Sequence, residues 1–186
     1  MSLSQRGFFY EKRAAKCSAG HTALFQTRIR ILIPKGGTMV LFFSVALKTL
    51  FREGRNYPWP RPDGCPRCKR FTVWGHGFAT AIFDGYDQPL LLKRYRCPDC
   101  GCVIRLRPEG YFKRFQAPIE TIRASIARKS TKNRWLPGIS RSRQRHWYGS
   151  LCRRIKASLT DTWRRGALAG FDCLLRIGQT PASRSI

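Results

Sequence analysis

The sequence predicts an α+β chain, with a small cysteine-tied antiparallel sheet in its middle and an all-helical segment behind it. Three observations carry this expectation. Two Cys-Pro-x-Cys turns, Cys65-Pro-Arg-Cys68 and Cys97-Pro-Asp-Cys100, flank an insert rich in β-branched and aromatic residues. After Pro108-Glu-Gly110 the apolar spacing lengthens to three and four residues, the mark of amphipathic helices. The chain of 186 residues carries 36 Lys+Arg against 10 Asp+Glu, a formal net charge of +26, which implies a polyanionic partner.

The cysteines are the strongest chemical signal. Each Cys-Pro-x-Cys turn aims two sulfurs at one point, and four thiolates around one point make a closed tetrahedral shell that suits structural zinc. Cys65, Cys68, Cys97 and Cys100 are therefore the expected ligands. Disulfides, buried thiols and a redox dithiol are the alternatives; two matched pairs at this spacing favour a metal. A closed shell leaves no open position for catalysis at the metal. Cys102 is expected to begin the next strand as a small apolar residue, and His76 to be a surface histidine in a turn of the insert.

Residues 1–38 form a poorly specified basic segment in which only Arg28–Ile33 reads as a strand. Lys35-Gly-Gly37-Thr38 ahead of Met39 fits a translated ribosome-binding site, which makes Met39 an alternative natural start. Residues 39–62 comprise a dense apolar run (39–51), expected as a buried strand or helix, and a Pro-rich linker. Residues 63–110 make the ribbon, with strands at Phe71–Trp74, Thr80–Phe83, Leu90–Arg96 and Cys102–Arg107. Alternation puts arginines on one face of the last two strands. Lys93, Arg94, Arg96, Arg105 and Arg107 are the expected phosphate contacts there.

Residues 111–178 form the helical domain. A first helix runs from Pro118 through Ile119, Ile122 and Ile126 to Lys129. A short second helix spans Thr131–Leu136, with Trp135 packed inward, and Pro137-Gly138 stops it. Ser140 caps a third helix whose inward stripe is Trp147, Leu151 and Ile155. That order predicts a helix-turn-helix, whose recognition helix opens with Arg141, Ser142, Arg143, Gln144 and Arg145. Arginine forks onto guanine and glutamine onto adenine, so these five are the expected base contacts. Lys129, Lys132 and Arg134 are expected to hold phosphate and fix the register. A last helix is expected over 157–177, capped by Thr160 or Asp161, with Cys152 and Cys173 as buried thiols and 179–186 as a frayed tail.

The fold class expected is thus a small antiparallel zinc ribbon followed by a helix-turn-helix-like domain. Cys65-Pro-Arg-Cys68, Leu92-Lys-Arg-Tyr-Arg-Cys97-Pro-Asp-Cys100 and the Arg-rich helices behind them resemble the zinc-ribbon and DNA-binding front part of bacterial insertion-sequence transposases. The resemblance covers residues 60–156. It implies that Cys65, Cys68, Cys97 and Cys100 bind zinc and that the helix after Ser140 meets DNA. The separated carboxylates of a transposase catalytic domain do not appear, since residues 157–186 offer only Asp161 and Asp172. The expectation is a non-enzymatic, zinc-dependent protein that binds duplex DNA, acts as a regulatory or targeting component of a mobile element, and lies in the cytoplasm at the nucleoid. RNA binding, or an adaptor role toward a transposase or polymerase, are the alternatives. No run of apolar residues in the sequence is long enough for a transmembrane helix.

Overall fold

The computed structural model describes residues 38–159 and 164–184. The expected Arg28–Ile33 strand and the Thr160 and Asp161 caps lie outside these. The described chain is a mixed α+β fold with one small sheet, a cluster of four cysteines and several helices. Two compact units divide it, with the boundary between Ser125 and Ile126.

The first unit holds strands β1 (Thr38–Phe43), β2 (Trp74–Ala81), β3 (Leu90–Arg96) and β4 (Val103–Pro108), and helix α1 (Leu47–Glu53). The apolar run thus splits into a strand and a helix. Strand order is β1-β4-β3-β2. β2–β3 and β3–β4 pair antiparallel as expected, but β1 joins β4 in parallel, Thr38 opposite Val103 through Phe43 opposite Pro108. The sheet is therefore mixed. The insert carries one strand before β3, not two. Phe71 lies outside the sheet, and β2 spans what looked like a turn around His76, with a register shift between Gly75 and Phe78.

Two apolar clusters fix this unit. Met39, Val73, Tyr95, Ile104 and Leu106 pack with Cys65, Cys97 and Cys102. Leu50, Phe83, Leu90 and Leu92 form the second cluster, under α1 residues and Tyr111. The Pro-rich stretch expected as an arm is tied down. The Tyr95 hydroxyl donates to the Pro60 carbonyl at 3.1 Å, and the Arg61 guanidinium donates to the Val73 carbonyl. Proline supplies no N–H for a backbone ladder, so side-chain donors hold this stretch instead.

Helix α2 (Ile119–Lys132) starts where Pro118 predicts. The second unit holds its last turns, then α3 (Arg141–Leu159) and α4 (Gly166–Arg176). The expected short helix at Thr131–Leu136 does not form. Residues 133–140 are a loop, entered through Asn133 in the left-handed region (φ 52°). The reason lies in α3. Gln144 is buried, its Nε2 donates to the carbonyls of Leu136 and Ile139, and its Oε1 accepts the Leu136 N–H, each at 2.9 Å. Backbone groups that a helix would pair internally are instead held by one side-chain amide. Trp135 is half-buried, edge-on to Tyr148 and under the Lys129 ammonium.

Trp147, Leu151 and Ile155 are buried, as their spacing predicts, and α3 packs against α4, where Phe171 and Leu174 are buried. Within the expected tail, the described residues 179–184 are held in place. Ser183 N–H donates to Ser150 Oγ at 2.9 Å, Ser183 Oγ lies 2.9 Å from His146 Nε2, and Ala182 is buried. Cys152 is a half-buried free thiol and Cys173 is buried on α4.

Replacing Gln144 by Leu strips three part-buried backbone groups of their partners. Thermal unfolding should show a loss of about 2–4 kcal/mol, since each unsatisfied group costs about 1–3 kcal/mol and water re-pairs part of them. A change within experimental error would show that the loop does not depend on this amide.

Candidate metal centre and basic surfaces

The two cysteine turns are built alike. In the first, Cys65 N–H donates to the Arg70 carbonyl at 2.7 Å and Lys69 N–H to the Cys65 carbonyl at 2.8 Å. In the second, Cys97 N–H donates to the Cys102 carbonyl at 3.0 Å and Gly101 N–H to the Cys97 carbonyl at 3.1 Å. Each turn closes through a left-handed residue four places after its first cysteine, Lys69 (φ 64°) and Gly101 (φ 66°). Gly101 suits that conformation; Lys69 holds it against the clash of its own Cβ. Gly64 is required for another reason, because a Cβ there would sit 2.9 Å from the Arg70 carbonyl oxygen.

These turns bring the sulfurs of Cys65, Cys68, Cys97 and Cys100 within 4.8 Å of one another. Two pairs, Cys65–Cys100 and Cys68–Cys97, are 3.5 Å apart. Metal–sulfur bonds of about 2.3 Å in a tetrahedron require sulfur–sulfur edges of roughly 3.8 Å. The cluster brackets that value, so it is positioned to coordinate a metal ion. Cys65 and Cys97 are buried, Cys100 is half-buried and Cys68 faces solvent. Cys102 is buried beside the cluster but is not part of it, and His76 lies outside it.

The protons report the same crowding. Burial works to raise the Cys65 thiol, but the backbone N–H groups of Cys68 and Arg67 and the Cys100 and Cys68 thiols outweigh it and bring it down to about 7. At Cys68 the backbone at Arg70 works to lower the thiol, yet burial and the other three sulfurs push it up to about 12. Cys100 is also pushed up. The Cys65 thiolate is thus stabilised at the expense of Cys68 and Cys100, and a cation between the sulfurs favours the thiolate form.

Of the expected base contacts, Arg141, Ser142 and Arg145 are exposed at the start of α3. Ser140 caps that helix, its Oγ accepting the Arg143 N–H at 3.3 Å and lying 3.1 Å from Ser142 Oγ. Arg143 is half-buried with its guanidinium 4.9 Å from the Trp147 ring centre. Gln144 is buried with its amide bonded to the loop and cannot meet a base, which corrects its expected role. Of the expected phosphate contacts here, Lys132 and Arg134 are exposed. Lys129 is half-buried and donates to Asn133 Oδ1. An open recess of about 650 Å³ gathers Arg128, Arg134, Arg141 and Arg145 around the loop with Trp135. Arg128, missed in the sequence, has its Nε buried without a hydrogen-bond partner.

On the sheet, Arg94 lies opposite Arg105, and Arg96 opposite Val103. The alternation therefore holds: Arg94, Arg96, Arg105 and Arg107 share a face. Lys93 takes the other face, its ammonium 4.7 Å from the Phe78 ring centre. Arg107 is buried, so it is no surface contact. Its guanidinium donates to the Phe115 carbonyl and lies 4.9 Å from the Phe83 ring centre. Burial, then Arg105, pulls its pKa down to about 10. Two aromatics of the expected Phe71–Trp74 strand are open to solvent: Phe71, outside the sheet, at 89% exposure and Trp74, the first residue of β2, at 60%.

No helix among the described residues is long and apolar enough to cross a membrane. No family model, curated protein or solved structure matches this chain.

Lys69→Gly and Gly101→Ala form an opposed pair of tests. Each changes the left-handed residue of one turn by about 1–2 kcal/mol, the first stabilising and the second destabilising. Denaturant melts of the metal-loaded protein should shift in opposite directions; shifts of the same sign would contradict the matched-turn account.

Proposed function

We propose that this chain is a zinc-dependent, non-catalytic DNA-binding protein, acting as a regulatory or targeting component of a mobile element. Zinc is the metal that four cysteines favour, through its tolerance of a tetrahedral all-thiolate shell. Cys65, Cys68, Cys97 and Cys100 would hold it, and it would supply structure, not chemistry. A sheet of four short strands has a small core, so ligation would provide much of this unit's stability.

The observation that carries the DNA reading is the recess lined by Arg128, Arg134, Arg141 and Arg145 where α3 begins. From Lys113 to Lys156 the chain has thirteen Lys/Arg and one acidic residue, Glu120. Exposed Arg141, Ser142 and Arg145 stand on the first turn of a capped helix, the part that reaches base edges when a helix enters the major groove. Arg134 and Lys132 would hold phosphate beside it. With Gln144 turned inward, readout would fall to arginine forks and favour guanine. The mobile-element role rests on the sequence resemblance, and a transposase gene beside this one would support it.

RNA or other single strands are the second reading. Phe71 and Trp74 favour it, because exposed aromatics next to Arg67, Lys69 and Arg70 make a platform on which unpaired bases stack.

Site selection from random duplex DNA and from an RNA pool decides between the two. The duplex pool should yield guanine-containing sites, with affinity falling by about 10³–10⁵ between about 50 and 200 mM salt if 6–10 phosphates are contacted. Arg141→Ala with Arg145→Ala should cost about 1–3 kcal/mol per lost base contact. A flat salt response, or enrichment from the RNA pool alone, would overturn the DNA reading. Cys97→Ser should release the metal and unfold the sheet while leaving the helical signal of α3 and α4 in far-UV circular dichroism. Normal metal content in that variant would refute the four-cysteine site.

A further inference from the structure

The sheet face opposite the one that packs Tyr95 and Ile104 carries a concentration of positive charge that no carboxylate among the described residues neutralises. Arg94 on β3 and Arg105 on β4 stand directly across from each other. Like charges at opposed positions of an antiparallel pair destabilise it. Arg105 and Lys113 have lowered pKa values, through burial first and then through neighbouring cations: Arg94 and Arg114 for Arg105, Arg114 and Arg105 for Lys113. The four groups therefore share one electrostatic field. The Nε atoms of Arg94 and Arg105 are buried without hydrogen-bond partners. Among the described residues no carboxylate pairs with any of the four.

The backbone is bent to bring the last two cations in. Residues 112–115 form a turn closed by Phe115 N–H donating to the Phe112 carbonyl at 3.1 Å. Arg114 occupies its third position at φ 67°, a place where glycine is the unstrained choice. Buried Arg107 pins the end of this turn through the Phe115 carbonyl, and Lys113 Nζ donates to the Thr38 carbonyl at 3.4 Å on the sheet's first strand. A strained residue held by its surroundings, next to half-buried cations that lack counter-ions, is an arrangement that a bound anion completes.

We propose that Arg94, Arg105, Lys113 and Arg114 form a binding site for a terminal phosphate group, either inorganic phosphate or the phosphorylated end of a nucleic acid. The charge and geometry select a terminal group over a diester within a strand. A phosphate monoester carries about −1.5 to −2 charge and three acceptor oxygens, enough to engage several guanidinium forks at once. A diester has one charge and two free oxygens, and the sugars on both sides keep it at exposed cations. The site lies in the metal-bearing unit and does not use α3. Its nucleic-acid source rests on the function proposed above; the phosphate chemistry does not.

Calorimetric titration of the metal-loaded full chain tests this with three probes: inorganic phosphate, and one short duplex with either a 5′-phosphate or a 5′-hydroxyl. Saturable binding of phosphate is expected, together with a preference of about tenfold or more for the phosphorylated duplex. Saturable phosphate with no difference between the duplexes assigns the site to free phosphate. Arg114→Gly removes a cation and also relieves the backbone, so this variant should melt no lower than the parent while losing phosphate binding. Arg141→Ala with Arg145→Ala should weaken both duplexes equally and leave phosphate binding intact. If neither duplex binds but phosphate does, the DNA reading fails and this site stands. Absence of saturable phosphate binding and of any end preference in the parent, or full retention of both in Arg114→Gly, overturns the proposal.

Discussion

Four sulfurs within 4.8 Å of one another repel as thiolates unless a cation lies between them, and the sheet unit is organised around that constraint. The two turns that deliver the sulfurs begin and end the insert that contains β2 and β3. Cys65, Cys97 and Cys102 belong to the same buried cluster as Tyr95 and Ile104. A bound ion would close the loop between residues 65 and 100, joining elements that the short strands hold only weakly.

Charge is the second constraint, and the two units meet it differently. Around α3 the arginines stand at the surface, at the rim of an open recess and on the exposed side of a capped helix. On the sheet Arg94 and Arg105 are half-buried and Arg107 is buried, each with an Nε that finds no acceptor, and only Arg96 is exposed among the four. Surface cations form a field that attracts polyanions of any sequence. Half-buried ones are selective, because only a group small and charged enough to reach them returns what burial removed.

What was legible in the sequence was local. The paired turns, the β3 and β4 strands, the Ser140 cap and the Trp147–Leu151–Ile155 stripe follow from residue spacing and turn chemistry over a few positions. What was not legible depended on distant partners. Nothing within residues 38–43 says that this strand lies parallel to β4, with Thr38 opposite Val103. Alternation correctly placed Arg105 and Arg107 on one face, but it could not say that Phe115 and Phe83 would cover Arg107. Gln144 had the right chemistry for adenine and the wrong orientation, because the 133–140 loop offered its amide three backbone partners. The short helix expected at 131–136 failed for the same reason: a side chain from the following helix competes for those carbonyls. Arg114 was visible only as part of a basic connector, since its role depends on a backbone angle and on strands that come before it.

The claim on which the rest turns is that the four cysteines bind one tetrahedral metal ion. Titrating the metal-free protein with cobalt(II) tests it most directly, because cobalt reports its own coordination in the visible spectrum. The account predicts intense absorption of a tetrahedral tetrathiolate complex, saturating at a single equivalent and displaced by zinc. A weak spectrum of octahedral type, or no saturation at a single equivalent, would contradict it.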